Sequence, residues 1–97
     1  MLFRSVYTLY MSREAQADLS IIKKSYPQSI RNRVEKLLKE LEISPRMGIG
    51  NPEQLKHYIS REVWSRRVDK KNRIVYEILE QEARIIILKL LMHYSDK

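Results

Sequence analysis

The chain has 97 residues, no cysteine and a formal net charge of +7, from 19 Lys and Arg against 12 Asp and Glu. This length predicts one domain that buries its own core without a covalent staple. The lack of cysteine excludes disulfides, thiolate metal sites and a cysteine nucleophile, and it fits a reducing cytoplasm. The two histidines stand far apart without metal-ligand spacing, so we expect no bound metal and no other cofactor.

The positive charge is spread along the whole chain and is not collected in a tail. This distribution is typical of proteins that bind a polyanion such as nucleic acid, although an acidic protein partner or solubility alone would explain it too. The apolar residues 1–11 are interrupted by Arg4 and are too short to span a bilayer. We therefore predict a strand there, in a cytoplasmic protein that does not enter a membrane.

The first half of the chain has the pattern of one strand followed by two helices. Residues 6–11 are rich in β-branched and aromatic side chains, which predicts a strand at a sheet edge or corner. Ser12 precedes an apolar stripe at helical spacing, so we predict a helix that Ser12 caps and that ends near Ser25. A fuller stripe after Pro27 predicts a second helix. Two such helices would form an antiparallel hairpin, and a sheet would have to cover their apolar stripes.

The second half of the chain has the alternation of polar and apolar residues that is typical of strands. Residues 62–68 and 73–79 predict two strands joined by a tight turn at Asp69–Asn72. Residues 83–92 are apolar on both faces, which predicts the buried central strand of the sheet. Residues 54–58 fit a short strand or a turn. The whole chain is thus predicted to be a single domain in which a sheet of these strands covers the apolar stripes of the two helices.

Charged residues accompany these strands in larger numbers than a structural hairpin requires. Pro52 fixes the backbone beside Glu53 and would hold that carboxylate at a defined place where the chain enters the sheet. We predict that one acid, several cations and one late histidine meet on a single sheet face and handle RNA phosphate. These residues are Glu53, Lys56, Arg66, Arg67, Arg73 and His93.

Two of these residues also have a structural interpretation. Glu53 could be an ordinary loop acid that pairs with Lys56. Arg66 could face solvent, or it could pair with Glu62 or Glu77 across the sheet. The pattern of charges alone does not decide between the structural and the functional roles.

Three blocks of the sequence resemble the YoeB branch of the RelE superfamily, the small toxins of bacterial toxin-antitoxin pairs. The blocks are NPEQLKH at 51–57, WSRRVDKKNRIVY at 64–76 and HY at 93–94. The resemblance is specific from Gly48 to Tyr94, and the strand-helix-helix opening agrees in order and length. It implies a small α+β fold, a twisted antiparallel sheet with two helices packed on one face.

The resemblance also implies a function, that of a ribosome-dependent endoribonuclease (mRNA interferase) that cleaves the message in the A site. A cognate antitoxin would neutralise it, and a homodimer is left open because relatives can pair. The family's general base, transition-state arginine, general acid and adjacent tyrosine match Glu53, Arg73, His93 and Tyr94. A further phosphate-contacting cation matches Arg67, and a basic residue near the base matches Lys56.

The chain departs from the family pattern at two places. Ser95–Lys97 follow the tyrosine on which the family usually ends, and Leu91 stands near a position where relatives often have a basic or polar residue. We expect these differences to bear on efficiency and codon preference and not on the reaction class.

RNA cleavage without a metal is easiest when the ribose 2′-hydroxyl attacks the neighbouring phosphorus, because proximity lowers the barrier. This reaction needs a base for the 2′ proton, an acid for the leaving 5′ oxygen and a cation for the charge on the phosphoryl oxygens. Glu53, His93 and Arg73 are residues of the types that can act as this base, this acid and this cation, respectively. Two alternatives stay open: a non-catalytic toxin like the ParE branch that poisons gyrase, and an inactive module that only binds RNA or an antitoxin.

Overall fold

The computed structural model describes residues 6–91, which fold as two helices packed on one face of a five-stranded sheet. The elements are β1 (Thr8–Met11), α1 (Arg13–Ser25), α2 (Gln28–Leu41), β2 (Glu53–Leu55), β3 (Glu62–Arg67), β4 (Arg73–Leu79) and β5 (Arg84–Lys89). The predicted α+β class is confirmed. Over these residues, no helix is both long enough and apolar enough to cross a bilayer.

Ser12 caps α1 and also ties the start of this helix to the sheet. Its side-chain oxygen accepts a hydrogen bond from the amide of Ala15 at 3.0 Å, which satisfies one of the free N–H groups of the first turn. The same hydroxyl donates to the carbonyl oxygen of Leu88 at 3.0 Å. Pro27 stands at the N-cap of α2 and ends the first helix, because the residue before a proline avoids helical backbone angles. The start of both helices and the end of α1 thus agree with the sequence prediction.

The core lies between the helices and the inner face of the central strands. Its fully buried aliphatic side chains each contribute roughly 1.5–3 kcal/mol relative to exposure. The helices supply Ala15, Ile22, Val34, Leu37 and Leu41, and the strands supply Ile74, Tyr76, Ile78, Ile85 and Ile87. The prediction that Ile74, Tyr76 and Ile78 share one face of β4 is therefore confirmed.

The sheet has the strand order β1-β5-β4-β3-β2 and is mixed. The predicted antiparallel arrangement holds for β2 to β5, whereas β1 lies parallel to β5, with Thr8 opposite Arg84. The tight turns on either side of β4 force its neighbours to be antiparallel. No such turn joins β1 to β5, which two helices and three strands separate along the chain, so local sequence did not determine their direction.

The last strand was predicted to be the centre of the sheet, and this prediction is wrong, because β5 lies one strand away from the centre. The central strand is β4, and β5 lies between β4 and the edge strand β1. A continuous apolar run indicates a strand with neighbours on both sides, but it does not tell which interior place that strand takes.

Gly50 fixes the point where the chain enters β2. Its carbonyl oxygen accepts a hydrogen bond from the amide of Arg67 at 2.7 Å, and its φ is +82°. A Cβ at this residue would lie 3.0 Å from the carbonyl oxygen of Arg67. Glycine is required here because the backbone is left-handed and passes close to β3. The loop after α2 is thereby held against the sheet three residues before Glu53.

Candidate functional site

An acid and an arginine meet on the face of the sheet that points away from the helices. Glu53 begins β2 and Arg73 begins β4, on either side of β3. Arg73 Nη1 lies 3.5 Å from Glu53 Oε1, so the ion-pair partner of Glu53 is Arg73 and not Lys56. The side chain of Glu53 is 61% exposed and that of Arg73 is 32% exposed, which leaves both accessible to a ligand.

Ser65 belongs to this pair, although the sequence analysis did not single it out. It lies directly opposite Glu53 in the sheet and is only 1% exposed. Its hydroxyl oxygen accepts a hydrogen bond from Arg73 Nη1 at 3.2 Å, which limits where the guanidinium can lie. The alternation of β3 was the available signal, because it places Ser65 on the same face as Arg67.

A second arginine faces Arg73 across the ladder. Arg67 is exposed and is the direct cross-strand partner of Arg73. Side chains at such positions have Cβ atoms roughly 4.5–5.5 Å apart, and like charges there are destabilising. Glu53 offsets only part of this repulsion, so the surface retains an excess of positive charge suited to an anion. We call this surface, formed by Glu53, Ser65, Arg67 and Arg73, the open face.

Arg66 does not belong to the open face. It is 0% exposed, because the alternation of β3 turns it toward the helix side, where the loop after α2 covers it. Its guanidinium pairs with Glu40. The prediction that Arg66 contacts RNA is therefore wrong, and so is the alternative that it faces solvent or pairs with Glu62 or Glu77.

The remaining predicted site residues are not part of the open face: one lies in a neighbouring turn, and two lie outside the described residues. Lys56 is exposed in the turn that follows β2, three positions after Glu53. His93 and Tyr94, the predicted acid and its neighbour, lie outside the described residues 6–91. The structure thus brings together the predicted base and two of the predicted cations, and it leaves the acid as a prediction.

A cleft of about 520 Å³ continues from the open face along the same side of the sheet. Its lining is Glu14, Leu55, His57, Tyr58, Arg61, Val75, Leu88 and Lys89. Leu55 follows Glu53 by two residues in β2, and Val75 follows Arg73 by two residues in β4. Side chains two residues apart in a strand share a face. The cleft therefore adjoins the acid–arginine pair.

Aromatic rings and cations form the walls of this cleft. The rings of His57 and Tyr58 have centroids 4.6 Å apart, and the guanidinium of Arg61 lies 5.3 Å from the centre of the Tyr58 ring. Arg61 Nη2 is also paired with Glu77 at 2.8 Å. Flat rings next to cations can stack on a nucleobase while they attract its phosphate.

A separate ion-pair cluster lies at the opposite end of β3 and has a structural role. Arg46 Nε donates to Glu62 Oε2 at 2.7 Å, and Arg46 Nη2 donates to Glu80 Oε1 at 2.9 Å. Trp64 Nε1 also donates to Glu62, at 2.9 Å. The hydrogen bond from Arg46 is the main reason that the pKa of Glu62 lies below its ordinary value of 4.5. This cluster fastens the loop after α2 to the sheet.

We expect the stabilisation from this cluster to disappear in acid. Because the folded-state pKa of Glu62 is lowered, its contact with Arg46 stabilises the protein above about pH 4.5 and is lost as the pH falls through the lowered pKa. In thermal melts, the difference in stability between wild type and Arg46→Met should be largest above about pH 5 and should shrink below about pH 4. Lys39→Met removes an exposed pair with Glu35 and serves as the control. A difference that stays constant with pH would contradict the assignment.

The fold and the open face define a small α+β domain with an acid and two facing arginines on one side of its sheet. A family model described as a YoeB-like toxin of a bacterial type II toxin-antitoxin system matches residues 11–94, and the chain belongs to this family. The family that the three sequence blocks suggested is thereby confirmed. The protein is a toxin of the type II class.

Individual relatives agree with this result over most of the chain. The toxin YoeB of Mycobacterium bovis is 39% identical over 62 residues, which are 64% of this chain and 69% of that protein. The YoeB dimer from Staphylococcus aureus superposes with a TM-score of 0.77 at 26% identity and covers 92% of this chain and 99% of that one. The YoeB–YefM complex from the same organism has a TM-score of 0.76 at 26% identity, with 91% and 98% of the two chains covered.

Proposed function

We propose that this toxin is a ribosome-dependent endoribonuclease that cleaves mRNA in the A site by metal-independent attack of a ribose 2′-hydroxyl. One observation carries the proposal: Glu53 contacts Arg73 on an exposed sheet face, directly beside the facing Arg67. If Glu53 served stability alone, one arginine would be enough to pair with it, and a second arginine opposite the first lowers stability. A phosphate between those arginines would turn their repulsion into binding.

The roles of these side chains follow from the bonds that must form and break. The 2′ oxygen bonds to phosphorus while the bond from phosphorus to the 5′ oxygen breaks, and negative charge builds on the phosphoryl oxygens. Arg73, held by Ser65, and Arg67 bind those oxygens in the transition state. As Arg73 turns to the phosphate, the Glu53 carboxylate is released to take the 2′ proton. The products are a 2′,3′-cyclic phosphate and a 5′-hydroxyl.

We assign the acid that protonates the leaving 5′ oxygen to His93, with Tyr94 beside it. The direction of β5 supports this assignment. The strand runs antiparallel to β4, and its last residue, Lys89, lies opposite Val75. The chain therefore leaves β5 toward the end of β4 that begins with Arg73.

We place a nucleotide next to the cleaved linkage in the cleft that adjoins the open face. The volume of about 520 Å³ accommodates one nucleotide, and the rings of His57 and Tyr58 offer a stacking surface for its base. Lys56 lies one position before His57 along the chain and supplies a further cation for the backbone.

We propose that a cognate antitoxin binds this toxin and blocks its action on cytoplasmic ribosomes. The YoeB of Staphylococcus aureus forms a complex with YefM, and it also occurs as a dimer. A basic open face of this kind suits an acidic segment of a partner chain, which would neutralise the arginines and exclude RNA. Homodimerisation is a further proposal with the same support from that relative.

A reconstituted translation system tests the proposed function. A defined message is incubated with the purified toxin in the presence or absence of ribosomes, and primer extension maps the breaks. We expect cleavage within the A-site codon when ribosomes are present and intact message when they are absent. Intact message in both reactions would indicate a toxin without nuclease activity, and equal cleavage in both would indicate a general ribonuclease. Either result would overturn the proposal.

A further inference from the structure

A buried carboxylate in α1 binds the backbone just beyond the end of β5. Asp18 is 3% exposed, and its Oδ2 accepts hydrogen bonds from the amides of Leu90 at 2.9 Å and Leu91 at 3.1 Å. Residues 18 and 91 are distant in sequence, so these bonds join the first helix to the last described residues. Neither the acid–arginine pair nor the adjoining cleft uses Asp18.

Other contacts from the start of α1 reach the same stretch of chain. The hydroxyl of Ser12 donates to the carbonyl oxygen of Leu88 at 3.0 Å, and Lys89 Nζ lies 3.5 Å from Glu14 Oε2. Four consecutive residues, 88–91, are thus each bound by a side chain of α1 or of its cap. The sheet itself holds only the first two of these residues, because β5 ends at Lys89.

The geometry at Asp18 does more than satisfy a buried charge. In an extended strand, successive amides point to opposite sides, so two neighbouring N–H groups cannot both reach one oxygen. Binding both Leu90 and Leu91 therefore requires the chain to turn at this place. Hydrogen bonds from backbone N–H groups to a carboxylate are charge-assisted and stronger than hydrogen bonds between neutral groups, so the turn is held firmly.

We propose that Asp18 is a positioning residue for the proposed general acid. It sets the direction in which the chain leaves β5, and His93 follows only two residues after Leu91. Two residues extend at most about 7 Å, so the place of the turn limits where the imidazole can act. This inference rests on the proposed function, because it assumes that His93 protonates the leaving oxygen beside Arg73.

A double-mutant cycle tests the inference. The variants Asp18→Asn, His93→Gln and their combination are compared with wild type in single-turnover A-site cleavage at saturating ribosomes. We expect Asp18→Asn to lower the rate about 10- to 100-fold, because the neutral amide oxygen holds the turn less firmly than the carboxylate and the acid loses its alignment. The half-saturating ribosome concentration should stay unchanged. In the His93→Gln background, the same substitution should change the rate by less than about twofold.

Two controls separate a positioning role from a structural one. Glu35→Gln removes one charge from an exposed carboxylate on α2 and should cleave at the wild-type rate. Circular dichroism tests whether each variant is folded. If Asp18→Asn is unfolded, Asp18→Glu, which keeps the charge on a longer stem, replaces it in the same cycle with the same expected result.

The outcomes distinguish this inference from the function on which it rests. A folded Asp18→Asn with the wild-type rate would overturn the inference alone. Equal rate losses from Asp18→Asn with and without His93 would do the same, because the carboxylate would then act independently of the imidazole. A His93→Gln variant as active as wild type would overturn the acid assignment itself, and the inference with it.

Discussion

Replacing Glu53 with glutamine is expected to lower the rate of A-site cleavage by about 10²- to 10⁴-fold, the usual contribution of a general base. The amide keeps the size of the side chain and can still face Arg73, but it cannot accept the 2′ proton. The substitution also removes a negative charge from the open face, so binding of RNA should not weaken. Single-turnover primer extension at saturating ribosomes measures the loss as a change in the chemical step.

Glu35→Gln is the matched control for this prediction. It makes the same chemical change at a side chain that is 68% exposed on α2 and pairs only with Lys39, at 3.8 Å, among the described contacts. We expect it to cleave at the wild-type rate. A Glu53→Gln variant with the activity of this control would show that Glu53 is not the base, even if ribosome-dependent cleavage itself is real.

Replacing Arg66 with methionine is expected to lower the free energy of unfolding by about 3–5 kcal/mol, as for other broken buried ion pairs. The guanidinium pairs with Glu40 and donates to the carbonyl oxygens of Met47 at 2.9 Å and Ile49 at 3.2 Å. Methionine fills the volume but leaves these three acceptors, and two further ones on neighbouring residues, without this donor. Because Glu40 is 29% exposed, water can reach it, so we expect a value near the lower end of the range.

The neighbouring arginine supplies the control for this second prediction. Arg67→Met makes the same change on the opposite face of β3, at an exposed side chain. It should alter stability by less than about 0.5 kcal/mol, or raise it slightly, because it removes the like charge opposite Arg73. Urea unfolding of both variants gives the comparison. Similar values for the two would contradict the division of roles between these arginines.

This division shows how much of the site the sequence contained. Adjacent residues of a strand point to opposite faces, so the pattern WSRR already separated Arg66 from Arg67. It could not tell which arginine the loop after α2 would cover. That depends on Glu40 and on the left-handed backbone at Gly50, whose partners lie far away in sequence. Ser65 was missed for a related reason, because a serine in a strand reveals its role only when Arg73 is seen to donate to it.

The fold was predictable where local signals act and not where pairing is long-range. The cap at Ser12, the stop before Pro27 and the two apolar stripes define both helices. Hairpin turns define the register of β3 and β4. The parallel pairing of β1 with β5 has no local signal, since it depends on which edge of the finished sheet remains free. The contact of Asp18 with Leu90 and Leu91 is equally non-local, and no periodicity indicates it.

The claim on which the mechanism depends is that the message attacks itself through its own 2′-hydroxyl. A message carrying a single 2′-deoxy nucleotide on the 5′ side of the mapped break tests this claim most directly, on programmed ribosomes with the wild-type toxin. We predict that the linkage stays intact, while the unmodified message yields fragments ending in a 2′,3′-cyclic phosphate and a 5′-hydroxyl. Cleavage of the deoxy linkage at the normal rate would contradict the claim, because an external water would then have to be the nucleophile.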